Sequence, residues 1–364
     1  MDHRQLQLGW IFLINIPVGV ISLVLTLFLI FDPPYLVRRG LREGAKIDYI
    51  GIGLLSVGLG FLQVVLDKGE REDWFGSNFI IGCSVVAVVG LLGAFLWELS
   101  QKDPAVDFHL LKERNFLIAT MTMFMLGVVL YGSTALLPIF LQTLLGYTAL
   151  LSGLVLSPGG FLVIFLLPVV GKLLTRLESR WLVVFGLSLL GLSLFHMATF
   201  NLEIDFRTAM FARVYQSAGM AFLFVPINVM AFYFIPRERI NNATGIINLA
   251  RNIGGSVGIA GVVTMLARRT QFHQAVLVSH MTPLDSAYQA MLIGARQMLL
   301  AQGSDPVQAA HQAQGLAYGL LMRHATMLAF LDDFWLMAVV ILGMIPFMFL
   351  MKKVRPHKET EAAY

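Results

Sequence analysis

The sequence predicts an all-α polytopic membrane protein with about nine transmembrane helices, and three observations carry that prediction. Of 364 residues, 57% are hydrophobic and only 13% charged, against roughly 25% charged in a soluble domain. The mean hydropathy is +0.75, so most of the chain must face something apolar. Several uncharged stretches are long enough to cross a hydrocarbon core of about 30 Å, and none shows the two-residue alternation of a barrel strand. A soluble globular protein is excluded.

The spans follow from the charge-free stretches, because a charge in lipid costs at least ~2.5–3.5 kcal/mol on insertion scales. They are Leu8–Phe31, Tyr49–Leu66, Trp74–Trp97, Phe116–Leu141, Leu150–Gly171, Trp181–Phe200, Thr208–Phe234, Ala243–Ala267 and Phe334–Met351. The fourth and fifth come from one uncharged block, Asn115 to Gly171, too long for one helix and divided at Gly146-Tyr147-Thr148. Between the last two spans, Arg268–Asp333 reads as a long extracytoplasmic loop with two amphipathic helices near the membrane surface. Gly303-Ser304-Asp305-Pro306 stops one and starts the other.

Lys and Arg set the orientation. Arg38, Arg39, Arg42, Lys46, Lys102, Lys112, Arg114, Lys172, Arg176, Arg180, Arg237, Arg239, Lys352, Lys353, Arg355 and Lys358 fall on one side, while the short segments opposite carry Arg4, Lys68, Arg71 and Arg207. The C-terminus is therefore expected in the cytoplasm and, with nine crossings, Met1 outside. The net charge of +4 comes from these loops, so no nucleic acid is expected as a partner. The single cysteine, Cys83, lies in an apolar run and reads as packing. No HExxH, GxxxxGK[ST] or His/carboxylate cluster occurs, so neither metal nor cofactor is expected, and nothing in the chain supports ATP-driven transport.

Polar residues inside spans are the candidate pathway groups. Arg213, about one and a half turns into its span, is either a cavity or counter-ion residue or an interfacial anchor that snorkels outward. Arg251, with Asn248 on the same helix face, has a pathway or interdomain role or snorkels to the cytoplasm. Gln142, Gln216, Asn228 and Asn15 contact substrate or simply hydrogen-bond across helices. Tyr131, Phe124, Phe161 and Phe165 are aromatic candidates whose plainer role is packing. Gly254, Gly258 and Gly261 form a small-residue face for close helix packing, and Pro138, Pro158 and Pro226 favour bends. Gly254-Gly255-Ser256-Val257-Gly258 also fits the nucleophile elbow of hydrolases, but it lies within a hydrophobic helix without a base, and an enzyme is not expected. Asp48, Glu98, Asp205, Asp332 and Asp333 all fall at span ends, so no carboxylate is expected deep in the membrane.

An ordered set of motifs resembles one family. Gly9-Trp10-Ile11-Phe12-Leu13-Ile14-Asn15-Ile16-Pro17-Val18-Gly19 resembles the entry to the sixth helix of 14-helix drug/proton antiporters, the EmrB/QacA subfamily of the major facilitator superfamily. Leu137 to Gln142, Gly146 to Ala149 and Ser152-Gly153 are similar to its ninth helix and following turn. Gly171, Lys172 and Arg176, in the run to Arg180, resemble the carboxy-half copy of its cytoplasmic gate loop, with Thr175 where Asp is common. Ala243-Thr244-Gly245 through Gly258 are similar to its thirteenth helix.

The resemblance implies a major facilitator fold represented by helices six to fourteen, the amino-terminal bundle largely missing. It implies the last amino-half helix and a cytoplasmic loop at 1–47, a two-helix linker at 48–111, and a six-helix carboxy-terminal bundle at 112–364 carrying extracytoplasmic loop 268–333. The implied function is multidrug-type efflux of lipophilic or amphiphilic compounds by alternating access in exchange for protons. The implied place is the bacterial inner membrane, where the lipid bilayer is the first partner and a periplasmic adaptor protein a further candidate. The alternative is a truncated, non-transporting fragment or accessory subunit that needs a partner bundle.

Overall fold

The computed structural model describes Leu13 and residues 15–29, 48–101 and 104–354. Arg4, Arg38, Arg39, Arg42, Lys46, Lys102, Arg355 and Lys358 of the orientation argument lie outside the described residues, as do motif positions Gly9 to Phe12 and Ile14. Among the described residues there is helix and no strand. The helices are α1 (Asn15–Leu29), α2 (Tyr49–Lys68), α3 (Asn78–Ser100), α4 (Arg114–Thr143), α5 (Ala149–Leu174), α6 (Ser179–Met197), α7 (Phe206–Phe232), α8 (Ile240–Val278), α9 (Ser286–Ala301), α10 (Pro306–Leu342) and α11 (Ile345–Leu350). Eight helical stretches are long and apolar enough to cross a membrane, and α1 is a shorter apolar helix within the described residues. The chain divides into two compact units, Met1–Ile47 with α1, and Asp48–Tyr364 with all the other helices.

Short polar side chains start these helices by accepting from orphan N–H groups of the first turn. Glu113 accepts from Phe116 N at 2.8 Å, Asp205 from Thr208 N at 3.0 Å and Asp305 from Val307 N at 3.1 Å. The uncharged block breaks where the sequence divides it: α4 ends at Thr143, Gly146 takes φ +69°, and Thr148 caps α5. A positive φ is open to glycine at little cost.

In the second unit, α4 packs along α8, α7 lies against α5 and α6, and α10 covers α6 and α8. Lipid tails are as apolar as leucine, so close fit and polar ties hold such a bundle together more than expulsion from water does. Phe140 meets Phe330 edge-on at 5.3 Å and Phe334 at 6.4 Å. At one end, fully buried Asn115 exchanges two hydrogen bonds with the backbone of Lys352, at 3.1 and 2.7 Å. Lys352 Nζ donates to Glu113 at 3.2 Å and Arg180 donates to the Met351 carbonyl. The starts of α4 and α6 are thereby stitched to the strand of chain after α11.

The 268–333 segment corrects the sequence reading. The helix stop and start expected at Gly303-Ser304-Asp305-Pro306 stands, with α9 a separate helix and Asp305 capping α10, but the helices are not confined to the segment: α8 continues past Arg268 to Val278, and α10 runs unbroken from Pro306 through Asp333 into the last span. Lysine and arginine end a hydrophobic span, but they do not end a helix, whose backbone bonds close internally wherever it lies. The last span is in turn interrupted at Gly343-Met344 before α11.

Candidate functional site

Buried polar groups concentrate on α7 and its neighbours. Arg213 lies eight residues past Asp205, ~12 Å along the helix, with 8% of its surface exposed. Its guanidinium turns into the bundle: Nη1 donates to Gln216 Oε1 at 2.5 Å, and Nη2 to Thr134 Oγ1 of α4 at 3.0 Å. Arg213 Nε and Gln216 Nε2 are buried without an acceptor. Sequence reasoning does not single out Thr134, because a threonine in a span gives no signal until a donor faces it.

A second group lies ~16 Å further along α7. Arg251 of α8 sits over the Phe224 ring at 5.9 Å and donates from Nη2 to Asn248 Oδ1 at 3.0 Å; its Nε is also buried and unmet. Asn228 spends one amide donor on the Phe224 carbonyl of its own helix, at 2.8 Å. The structure thus brings Arg213 together with Gln216, and Arg251 with Asn248 close to Asn228's turn of α7. Gln142 is exposed near the end of α4, apart from both groups, and Asn15 opens α1 in the other compact unit.

Backbones approach most closely between α4 and α8. A methyl group added at Gly254 would stand 2.1 Å from the Phe124 carbonyl oxygen, one at Gly258 2.3 Å from that of Val128, and one at Gly127 2.2 Å from that of Arg251. Gly261 is a correction: nothing lies within 4 Å of its would-be Cβ, and the position borders a cavity instead. The third α8 glycine in close contact is Gly255, beside the Tyr131 ring. That ring is therefore a packing partner of α8. Ser256, the would-be nucleophile, donates to Gln63 Oε1 of α2 at 2.6 Å, a tie between α2 and α8.

Of the expected gate loop, Gly171 and Lys172 lie in the last turn of α5, exposed, and Arg176 follows, also exposed. Arg180 is the residue of that run which engages another element. Asp333 lies at a span end, as the sequence places it, but it is 1% exposed within α10, and neither oxygen has a hydrogen-bond partner. The signal for it in the sequence is a strict four-residue stripe, Ala309, Ala313, Ala317, Leu321, Ala325, Ala329, Asp333, Met337 and Ile341, all buried.

The sequence profile of the Major Facilitator Superfamily matches residues 5–259. The multidrug export protein EmrB of Escherichia coli (strain K12) is 32% identical over 343 residues, covering 93% of this chain and 64% of that protein. The fatty acid resistance protein FarB of Neisseria gonorrhoeae is 34% identical over 275 residues, 76% of this chain and 53% of that protein. The colistin resistance protein EmrB of Acinetobacter baumannii is 27% identical over 302 residues, 80% of this chain and 58% of that protein. The chain thus spans less than two thirds of the length of these curated relatives.

Proposed function

The chain belongs to the major facilitator superfamily, and from that premise we propose that it exports lipophilic or amphiphilic compounds across a bacterial plasma membrane by alternating access, in exchange for protons. The observation that carries the proposal is the pair of cationic groups on α7 and α8. A charge in a span costs ~2.5–3.5 kcal/mol, and an interhelical hydrogen bond in a membrane returns ~0.6 kcal/mol on average. Arg213 and Arg251 therefore cost more than their contacts repay, and an aqueous pathway for polar headgroups accounts for both. Their unmet groups are all N–H donors, which suits a substrate whose polar end accepts hydrogen bonds. The names of the relatives, resistance to drugs, fatty acids and colistin, agree with such amphiphiles.

In this reading 48–111 serves as a two-helix linker, 112–351 as the carboxy-terminal bundle and Gly171, Lys172 and Arg176 as part of a cytoplasmic gate. The C-terminus lies in the cytoplasm, as the Lys and Arg bias supports, and the helical segment 268–332 lies outside, where an adaptor protein could dock. The test is accumulation of a lipophilic fluorescent dye in bacteria stripped of their own efflux pumps. Cells expressing the chain should hold less dye, and an uncoupler should abolish the difference; equal accumulation with the protein present in the membrane would refute export.

A further inference from the structure

Two consecutive carboxylates of α10 have opposite surroundings. Asp332 accepts from Arg269 Nε and His273 Nε2 of α8, each at 2.7 Å. Asp333, turned ~100° around the helix, is 1% exposed and has no partner for either oxygen. It borders a cavity of ≈ 180 Å³ whose other walls include Val128 of α4, Gly258, Gly261 and Met265 of α8, and Leu336 of α10. No side chain lining that cavity other than Asp333 is polar.

The charged and titratable groups around it are few. From α8 come Arg269 and His273, both held by Asp332, and from α10 Asp332 itself. The α4 residue at the cavity is Val128. On α6, His196 stands edge-on to Phe200, which in turn packs on Phe334. An unpaired carboxylate buried among apolar groups is strongly disfavoured, whereas the protonated acid is tolerated. Asp333 lies eighteen residues before Met351, at the opposite end of the last span, which is broken at Gly343-Met344. The half-buried Asp332, Arg269 and His273 are beside it.

We propose that Asp333 is a proton-binding site, holding its proton in this conformation and releasing it when α8 and α10 part and water or Arg269 reaches it. The step moves one proton: an O–H bond forms on the carboxylate as one breaks on hydronium, with no change of oxidation state. The inference rests on the proton exchange proposed above and names the group that performs it.

The experiment is pH-jump infrared difference spectroscopy on the full chain in lipid nanodiscs. The expected result is a carbonyl band of a protonated carboxylic acid that vanishes as pH rises, is absent in Asp333→Asn and is kept in Asp332→Asn. No such band, or the same band in Asp333→Asn, overturns the proposal. Should Asp333→Asn fail to fold, labelling of the wild-type chain by a hydrophobic carbodiimide decides: modification of Asp333 at acid pH and its loss at alkaline pH supports the site, and labelling confined to other carboxylates overturns it. A persistent Asp333 band without dye export upholds the proton site while removing the export reading. Uncoupler-sensitive export with the band traced to another residue removes this inference alone.

Discussion

Arg213 is a buried guanidinium with two side-chain acceptors, and its geometry dictates how substitutions should behave. Its two donors reach two helices in a fixed fork, Gln216 on α7 and Thr134 on α4, which a lysine ammonium cannot reproduce. Both Arg213→Gln and Arg213→Lys are expected to cut dye export about tenfold, a loss of ~1.4 kcal/mol of stabilisation, while immunoblots show unchanged membrane abundance. Export preserved in Arg213→Lys would show that charge alone suffices there. Asp205, outside the membrane at the start of α7, makes a pH-dependent contribution instead. The Thr208 hydroxyl and then the Thr208 N–H hold its carboxyl below the ordinary value. A lowered value in the folded state means the cap is fully present above the ordinary carboxylate range and is lost as pH falls through the lowered value. The difference in melting temperature between the wild type and Asp205→Asn should therefore shrink on acidification; a gap that widens toward acid would contradict the assignment.

Helix α8 separates the element-level features that a sequence makes legible from those it hides. Its glycines at 254 and 258 stand out at four-residue spacing and do meet α4, whereas Gly261, three residues on, points past it. Gly258→Val places a Cβ within 2.3 Å of the Val128 carbonyl oxygen, so the helices must separate, at a cost of ~1–3 kcal/mol for overpacking. Gly261→Ala meets nothing within 4 Å. Thermal unfolding in detergent should drop by several degrees for the first and stay level for the second, and a drop in both would mean the α4–α8 contact is not what the valine disturbs. Span positions are equally legible, since lipid enforces apolarity residue by residue. What escapes is how far a helix runs once it leaves the lipid, as with α8 beyond Arg268; the start of α10 at Pro306 is signalled by Asp305-Pro306, but its unbroken run into the last span is not. Asp333 escapes for the same reason: it borders an uncharged stretch, and only the buried stripe of α10 shows that it faces inward. Thr134 and Gln63 are invisible in sequence because pairing across helices is not periodic.

For the molecule as a whole, the unequal helix lengths matter most. At 39 and 37 residues, α8 and α10 measure ~58 and ~55 Å at 1.5 Å per residue, far beyond a hydrocarbon layer of about 30 Å. With α9 packed on α10, they form a helical cap on the side opposite the stitched end at Asn115 and Lys352. Leu284, 96% exposed between α8 and α9, offers a topological test. Leu284→Cys should react with an impermeant thiol reagent added to intact cells, while the buried Cys83 stays silent; labelling only after the inner face is opened would reverse the orientation. Because α10 is one unbroken rod, its first 27 residues, from Pro306 to Asp332, act as a pointer ~40 Å long. A tilt of about 10° in the span, with the far end pinned, swings the tip by roughly 7 Å by the same helix rise. Small rotations within the bilayer are thereby amplified into displacements at the surface, where a tethered fluorophore near Pro306 could read the working cycle directly.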